Sequence, residues 1–247
     1  ERVARQTGYS VISVSQSMRI ISLYVDGKRH VLEPSESILA SANQALSALE
    51  RYKARLDQTS AGLDSLEIED LVTVRDVTSV LQLMEMVRRI SADIDSYVLE
   101  LGTDGRLLAL QVEELTRGLL AEHGFLLEDY LPEGLDTTTV DARLKWVGSP
   151  ALLDLAMVAR SMGLGGIDGQ DLDAQVSPRG LRILSKIPRL PVVTARAVVE
   201  QWGSLQGVLG ATIEELEAVE GVGAQRARTL RDGLSRLAEI SVVERYS

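Results

Sequence analysis

A chain of 247 residues with 45% hydrophobic and 25% charged residues has the composition of a soluble globular protein, long enough for one large domain or two to three small ones. It has no cysteine and only two histidines, His30 and His123, which disfavours disulfides, thiolate metal sites and histidine-based centres; no apolar run or leader pattern points to a membrane, so a cytoplasmic location is expected. The net charge of -10 argues against a polyanionic partner until the chain is divided: residues 178–247 carry ten Arg/Lys and eight Asp/Glu, a net of +2, leaving -12 for the remainder.

In chain order, Glu1–Thr7 reads as the last turns of a helix stopped at Gly8. The β-branched and apolar stretches Val11–Ser15 and Met18–Val25 read as strands, and Asp26-Gly27 supplies a tight turn into a third, Lys28–Leu32. These strands are either a small β-rich cap or the far edge of a larger sheet. From Ser35 to about Leu119 the pattern is helical. Ile38, Ala42, Ala45, Leu49 and Tyr52 recur at three-and-four spacing. Ile68–Ile90 reads as a helix apolar on several sides (Leu71, Val74, Val77, Leu81, Met84, Met86, Val87), the pattern of an element buried in a bundle or against another subunit. Gly102–Gly105 breaks the run and Arg106–Leu119 resumes it. Leu131–Thr139 reads as a loop, Ala151–Met162 as a short helix and Gly163–Gln175 as a linker.

The last segment carries the sharpest motif. Leu216–Gly223 followed by Ala224-Gln225-Arg226-Ala227 reads as a short helix, a Gly-Val-Gly hairpin and a second helix to about Leu237. Thr212 and Glu215 have capping-box spacing. Gly221 and Gly223 permit a tight turn with no side chain between backbone and ligand, and Val222 can turn inward to pin it. The N–H groups that open the next helix then face outward, where the helix dipole favours an anion such as a DNA phosphate. Gln225, Arg226 and Arg228 flank that point. A degenerate copy, Leu184–Pro191, precedes the Val192–Gln201 helix, with prolines in place of the glycines. Pro191 suits the first helical turn, and Lys186 and Arg189 can reach phosphate. Arg179, Arg182, Lys186, Arg189 and Arg196 follow one another with no acidic residue among them, a further hint of nucleic acid. Trp202 and Gly203 are assigned to the internal core. The DNA-binding set is therefore Gly221, Val222, Gly223, Gln225, Arg226, Arg228, Lys186 and Arg189, acting on backbone phosphates, not bases. With 4% aromatics, a dedicated single-strand binder is disfavoured.

Arg5–Ser15 with Ile20–Val25, Leu49–Lys53, Glu100–Arg106, Ser177–Gly180 and Ile187–Leu190 together resemble the DisA family of DNA integrity scanning diadenylate cyclases over essentially the whole chain. The resemblance implies a mainly α fold in three parts. Residues 1–34 would be the C-terminal strand-hairpin edge of an α/β cyclase domain, 35–175 a helical linker and oligomerisation domain, and 176–247 a tandem helix-hairpin-helix domain. It further implies a parent that joins two ATP into cyclic di-AMP with Mg2+ or Mn2+. That parent is a homo-octamer inhibited by branched DNA, associated with the nucleoid, with recombination or repair proteins as further partners. Ser15 is the one ATP-phosphate contact carried over. The family's Asp-Gly-Ala and Arg-His-Arg motifs do not occur in these residues; Asp26-Gly27 and Asp104-Gly105 are not the former. No catalytic residue, metal ligand or bound cofactor is thus expected in this chain, and no cyclase activity from it alone. The alternatives are a stand-alone, non-enzymatic helix-hairpin-helix DNA-binding adaptor and a helical scaffold whose hairpins bind protein.

Overall fold

The computed structural model describes residues 2–16, 20–166 and 169–245. It is mainly helical, with one three-stranded sheet, and divides into two compact units, Glu1–Glu50 with Arg89–Leu115 and Arg51–Arg88 with Thr116–Ser247.

In the first unit, α1 (Arg2–Thr7) stops at Gly8, whose φ is +71°. Strands β1 (Val11–Ser15), β2 (Ile20–Val25) and β3 (Lys28–Leu32) pair antiparallel in that order, Val14 opposite Ile21 and Leu23 opposite His30. Asp26 and Gly27 both take left-handed φ, 49° and 74°, as a two-residue hairpin turn of this hand requires. The expected start of the second strand at Met18 lies outside the described residues. Ile12, Val14 and Val31 remain exposed, whereas Ser22 is buried and accepts hydrogen bonds from Arg29. The long helix α2 (Ser35–Glu69) buries Ile38, Ala42, Leu46 and Leu49 along one stripe. Helix α3 (Val74–Leu101) runs into a 3-10 turn, Gly102–Gly105, and then α4 (Arg106–Thr116). A side chain at Gly105 would come within 3.0 Å of the Val98 backbone, so this break is built on a close backbone approach.

In the second unit the expected continuous helix over Ile68–Ile90 is corrected. The chain turns at Asp70 (φ 57°), Leu71 is exposed in the turn, and α3 begins only at Val74. The physical reason is a cap: the Asp76 carboxylate accepts the Thr73 N–H at 2.9 Å and its hydroxyl. Val74, Val77, Thr78, Leu81, Met84 and Val87 are buried, so this part of α3 does bury more than one face. Gly118 (φ 79°) separates α4 from α5 (Leu119–Tyr130), which composition had merged in part with the preceding run. The expected loop Leu131–Thr139 contains the start of α6 (Thr137–Trp146), because Asp136 accepts the Thr139 N–H at 2.7 Å. The expected Ala151–Met162 helix is a 3-10 turn, Ala151–Leu153, then α7 (Leu155–Met162), divided at Asp154, which caps α7 through the Ala156 N–H at 3.0 Å. The expected linker Gly163–Gln175 is tied to the start of α3 in its last residues. Val74 N–H donates to Ala174 O, Arg75 N–H to Leu172 O at 2.8 Å, and Val176 N–H to Val72 O at 3.0 Å.

The same unit ends in α8 (Leu181–Ser185), α9 (Val192–Trp202), α10 (Leu205–Gly210), α11 (Ile213–Glu217) and α12 (Ala224–Arg245). These short helices have little intrinsic stability and stand by burying one shared core, with Leu184, Ile187, Val198, Leu205, Leu216 and Leu230 in it. Trp202 packs against that core and Gly203 closes α9 with φ 70°.

Candidate nucleic-acid interface

The two hairpins repeat one another at the level of single hydrogen bonds. In the first, Ile187 N–H donates to Leu184 O, Leu190 N–H to Ile187 O at 3.3 Å, and Ala195 N–H to Pro191 O at 3.0 Å. In the second, Val219 N–H donates to Leu216 O, Val222 N–H to Val219 O at 3.0 Å, and Ala227 N–H to Gly223 O at 3.0 Å. The register equates Arg189 with Gly221 and Pro191 with Gly223. Arg189 (φ 65°) and Gly221 (φ 81°) take the same left-handed conformation. The glycine that supplies this turn in the second hairpin is thus replaced by an arginine in the first, not by a proline. Pro191 is the cap residue before α9, with extended ψ of 139°, instead of its first helical residue.

The second hairpin fits a backbone-presenting turn. Thr212 and Glu215 form the expected capping box on α11. Val222 is 3% exposed and belongs to the core, which holds the loop down from inside. No atom lies within 4 Å of where a side chain would stand on Gly221 or Gly223. At Gly221 the positive φ accounts for glycine; at Gly223 neither the backbone angle nor packing does, and the position opens outward. The N–H groups of Arg226 and Ala227 both donate to Gly223 O, so α12 opens at Ala224 directly beside that position, where the positive end of the helix dipole lies. Gln225, Arg226 and Arg228 are exposed around it, and the Arg226 guanidinium folds back onto Gly221 O at 2.6 Å.

Lys186 and Arg189 of the first hairpin and Gln225 and Arg226 of α12 line one cleft of about 620 Å3. Arg228 does not line it. The pattern missed Thr229 and Arg236, which join the cleft from the same face of α12; helical spacing from Gln225 was the available signal. It also missed Gly233, where a side chain would lie 2.9 Å from Ile187, so the glycine lets α12 press against the first hairpin.

The run of basic residues has mostly another use. Arg182 is fully buried and donates to Glu67 at 3.1 and 2.7 Å, to Ser60 Oγ at 3.1 Å, and pairs with Asp64 at 2.6 Å. Tyr130 Oη donates to the same Glu67 at 2.7 Å. Burial pushes the Glu67 carboxyl and the Tyr130 phenol up, and for Glu67 the neighbouring Arg182 charge opposes the rise. Arg179 donates to the carbonyls of Glu128 and Leu131, and Arg196 pairs with the Glu128 carboxylate. Lys186, at the edge of the cleft, holds Asp64 with both carboxylate oxygens, at 2.7 and 2.5 Å. Among the described residues Arg189, exposed at the hairpin tip, makes no ion pair. Asp129, buried beneath, accepts the N–H groups of Gly180, Leu181 and Arg182 and so caps α8 from α5.

Ser15 lies in the other compact unit, half-buried at the end of β1 opposite Ile20. Among the described residues no group of three or more His, Asp or Glu is placed to hold a metal, and no helix is long and apolar enough to cross a membrane.

Residues 32–170 match the DisA bacterial checkpoint controller linker region, and residues 181–236 the SAM-like helix-hairpin-helix tandem. Over its whole length the chain is 57% identical to the DNA integrity scanning protein DisA of Acidothermus cellulolyticus, covering 68% of that protein. It is 54% identical to the protein of the same name from Streptomyces coelicolor (67% covered) and 55% identical to that from Parafrankia sp. (69% covered). With a linker region, a hairpin tandem and this identity along all of its residues, the chain belongs to the family of the DNA integrity scanning protein DisA.

Proposed function

We propose that the second hairpin and the cleft beside it grip the phosphate backbone of duplex or branched DNA. The observation that carries this reading is Gly223: a glycine that neither backbone angle nor packing demands, on a loop pinned from inside by Val222, next to the N-terminus of α12. Gly221, Gly223 and Gln225 offer backbone N–H groups to one phosphate. Arg226, Arg228, Lys186 and Arg189 add charge around it. Such contacts fix position without reading bases.

At the level of the whole protein, this chain is the DNA-sensing and assembly portion of a diadenylate cyclase. That protein would condense two ATP into cyclic di-AMP with a divalent metal, assemble as an octamer and lose activity on branched DNA. The residues here do not fit the metal, since no carboxylate cluster is placed for it among the described residues. ATP and metal would be held by the Asp-Gly-Ala and Arg-His-Arg motifs of the cyclase domain, with Ser15 reaching the phosphates. Family resemblance supports these points, and a cytoplasmic, nucleoid-associated location accords with them.

The test is binding of this chain to a four-way junction and to matched linear duplex, each across a salt series. Affinity falling by about 0.9 log units per phosphate per log salt, and lost in Gly223→Asp, supports the hairpin mechanism. Preference for the junction supports a sensor of DNA structure. Binding to neither at low salt overturns the reading.

A further inference from the structure

Arg189 stands at a backbone position that favours glycine. Leu190 N–H donates to Ile187 O across Pro188 and Arg189, and Arg189 has a φ of 65°. Proline in the second place and a left-handed residue in the third mark a type II turn, whose third place favours glycine. The second hairpin follows that preference with Gly221. A glycine at 189 would make the same turn without the crowding between Cβ and carbonyl that a left-handed L-residue suffers. An arginine held there at that cost points to a use for the side chain itself. The residue is exposed, and among the described residues its guanidinium makes no hydrogen bond or ion pair. Around it the first hairpin has lost what suits the second to a phosphate. Pro191 takes the place of Gly223 and has no N–H to offer, and Val193, 80% exposed, takes the place of Gln225. Arg189 nevertheless lines the same cleft as Gln225 and Arg226.

We propose that Arg189 enters the minor groove of the bound duplex and makes the tandem favour DNA whose minor groove is narrow. The inference rests on phosphate binding by the second hairpin, since that contact brings the duplex to the shared cleft. A narrow minor groove, as in A·T tracts, carries an enhanced negative potential that draws in a cation. Arginine suits it better than lysine, because a guanidinium is more weakly hydrated than an ammonium and gives up less water on entry. In G·C pairs the guanine amino group adds a donor to the groove floor and opposes the guanidinium. The apolar neighbours Pro188, Leu190 and Pro191 fit the same place, since sugar edges wall the groove, whereas a phosphate calls for donors such as the N–H that Pro191 lacks. Pro188 stiffens the turn, so the arginine is presented from a fixed point and little order is lost on binding.

The experiment titrates the parent chain, Arg189→Lys and Arg189→Gly with duplexes of one length, across a salt series. One duplex carries an A·T tract and one is G·C-rich. A third is the A·T tract with 2,6-diaminopurine for adenine, and a fourth the G·C duplex with inosine for guanine, which add and remove the minor-groove amino group. Glycine fits the turn at 189, so the fold should survive, checked by thermal melting. The parent should bind the A·T tract several-fold tighter than the G·C duplex, with diaminopurine removing the preference and inosine restoring it. Arg189→Gly should bind the two sequences alike, and Arg189→Lys should lose most of the preference although it keeps the charge. Equal binding of all four duplexes by the parent overturns the proposal, as does a preference that persists in Arg189→Gly. A loss in Arg189→Gly that is uniform across sequences, with a salt slope lower by about 0.9, assigns Arg189 to a phosphate instead. No binding of any duplex by the parent sinks the phosphate reading itself, and the groove contact with it.

Discussion

Arg182 and Glu67, both without solvent exposure, are joined by a two-point ion pair, Nε to Oε1 at 3.1 Å and Nη2 to Oε2 at 2.7 Å. This pair fixes α8, the first helix of the hairpin tandem, to the C-terminal end of α2. Removing Arg182 strands the Glu67 carboxyl in a medium that cannot solvate it, whereas removing Glu67 leaves Arg182 paired with Asp64. Arg182→Met should therefore lower the unfolding free energy by about 3–5 kcal/mol, and Glu67→Leu by less. The double variant should lose clearly less than the sum, because neither charge is then left alone. Urea denaturation of the cycle measures this; additive losses would mean that the two residues act independently.

Lys186 shares Asp64 with Arg182: Asp64 stands 2.5 Å from the lysine Nζ and 2.6 Å from Arg182. A phosphate entering the cleft must compete with that carboxylate for Lys186. Asp64→Asn should release the lysine and raise DNA affinity several-fold, with the salt slope steeper by about 0.9 per phosphate gained. Fluorescence anisotropy across a salt series reads both quantities, and circular dichroism checks that the fold survives. Unchanged affinity and slope would mean that Lys186 serves only to hold α2.

These two relationships also mark where reading the sequence stops. The sheet hairpin, the Thr212–Glu215 capping box and the buried Val222 depend on residues close in the chain, and their patterns were legible. The basic run from Arg179 to Arg196 looked like a nucleic-acid surface because it lacks local acidic partners. Its partners come from more than a hundred residues away for Arg182 and Lys186, and no local pattern reports them. The break at Asp70 was invisible for a different reason. An aspartate in left-handed backbone is uncommon, and the apolar periodicity on either side runs through it. Asp136 and Asp154, by contrast, are ordinary N-caps that the sequence does signal, and attention to them would have placed α6 and divided α7 from the turn before it.

Asp129 gives the stability of the tandem a pH dependence. Burial pushes its carboxyl up to about 7, against the pull of the backbone N–H groups it accepts. A carboxyl whose folded pKa lies above its unfolded one adds stability in full below about pH 4, and that contribution is lost as pH rises toward 7. Asp129→Asn cannot titrate. The difference in urea midpoint, parent minus variant, should therefore shrink from pH 4 to pH 7 and stay level above. A difference that is flat or grows would show that the α8 donors keep this carboxylate ionised throughout.

Three glycines of the tandem should separate folding from binding. Gly221 sits at φ 81° with open space around it, so Gly221→Ala should cost about 1–2 kcal/mol of stability through backbone strain alone. Gly233→Ala places a methyl 2.9 Å from Ile187 and should cost about 1–3 kcal/mol, because α12 must move off the first hairpin and widen the shared cleft. Gly223 carries neither constraint, and Gly223→Asp should stay within about 0.5 kcal/mol of the parent while removing DNA affinity. Denaturation midpoints paired with duplex binding check all three. If Gly223→Asp unfolds the tandem as readily as Gly233→Ala does, the glycine is there for the fold, and the open backbone at the start of α12 is no longer evidence for a phosphate.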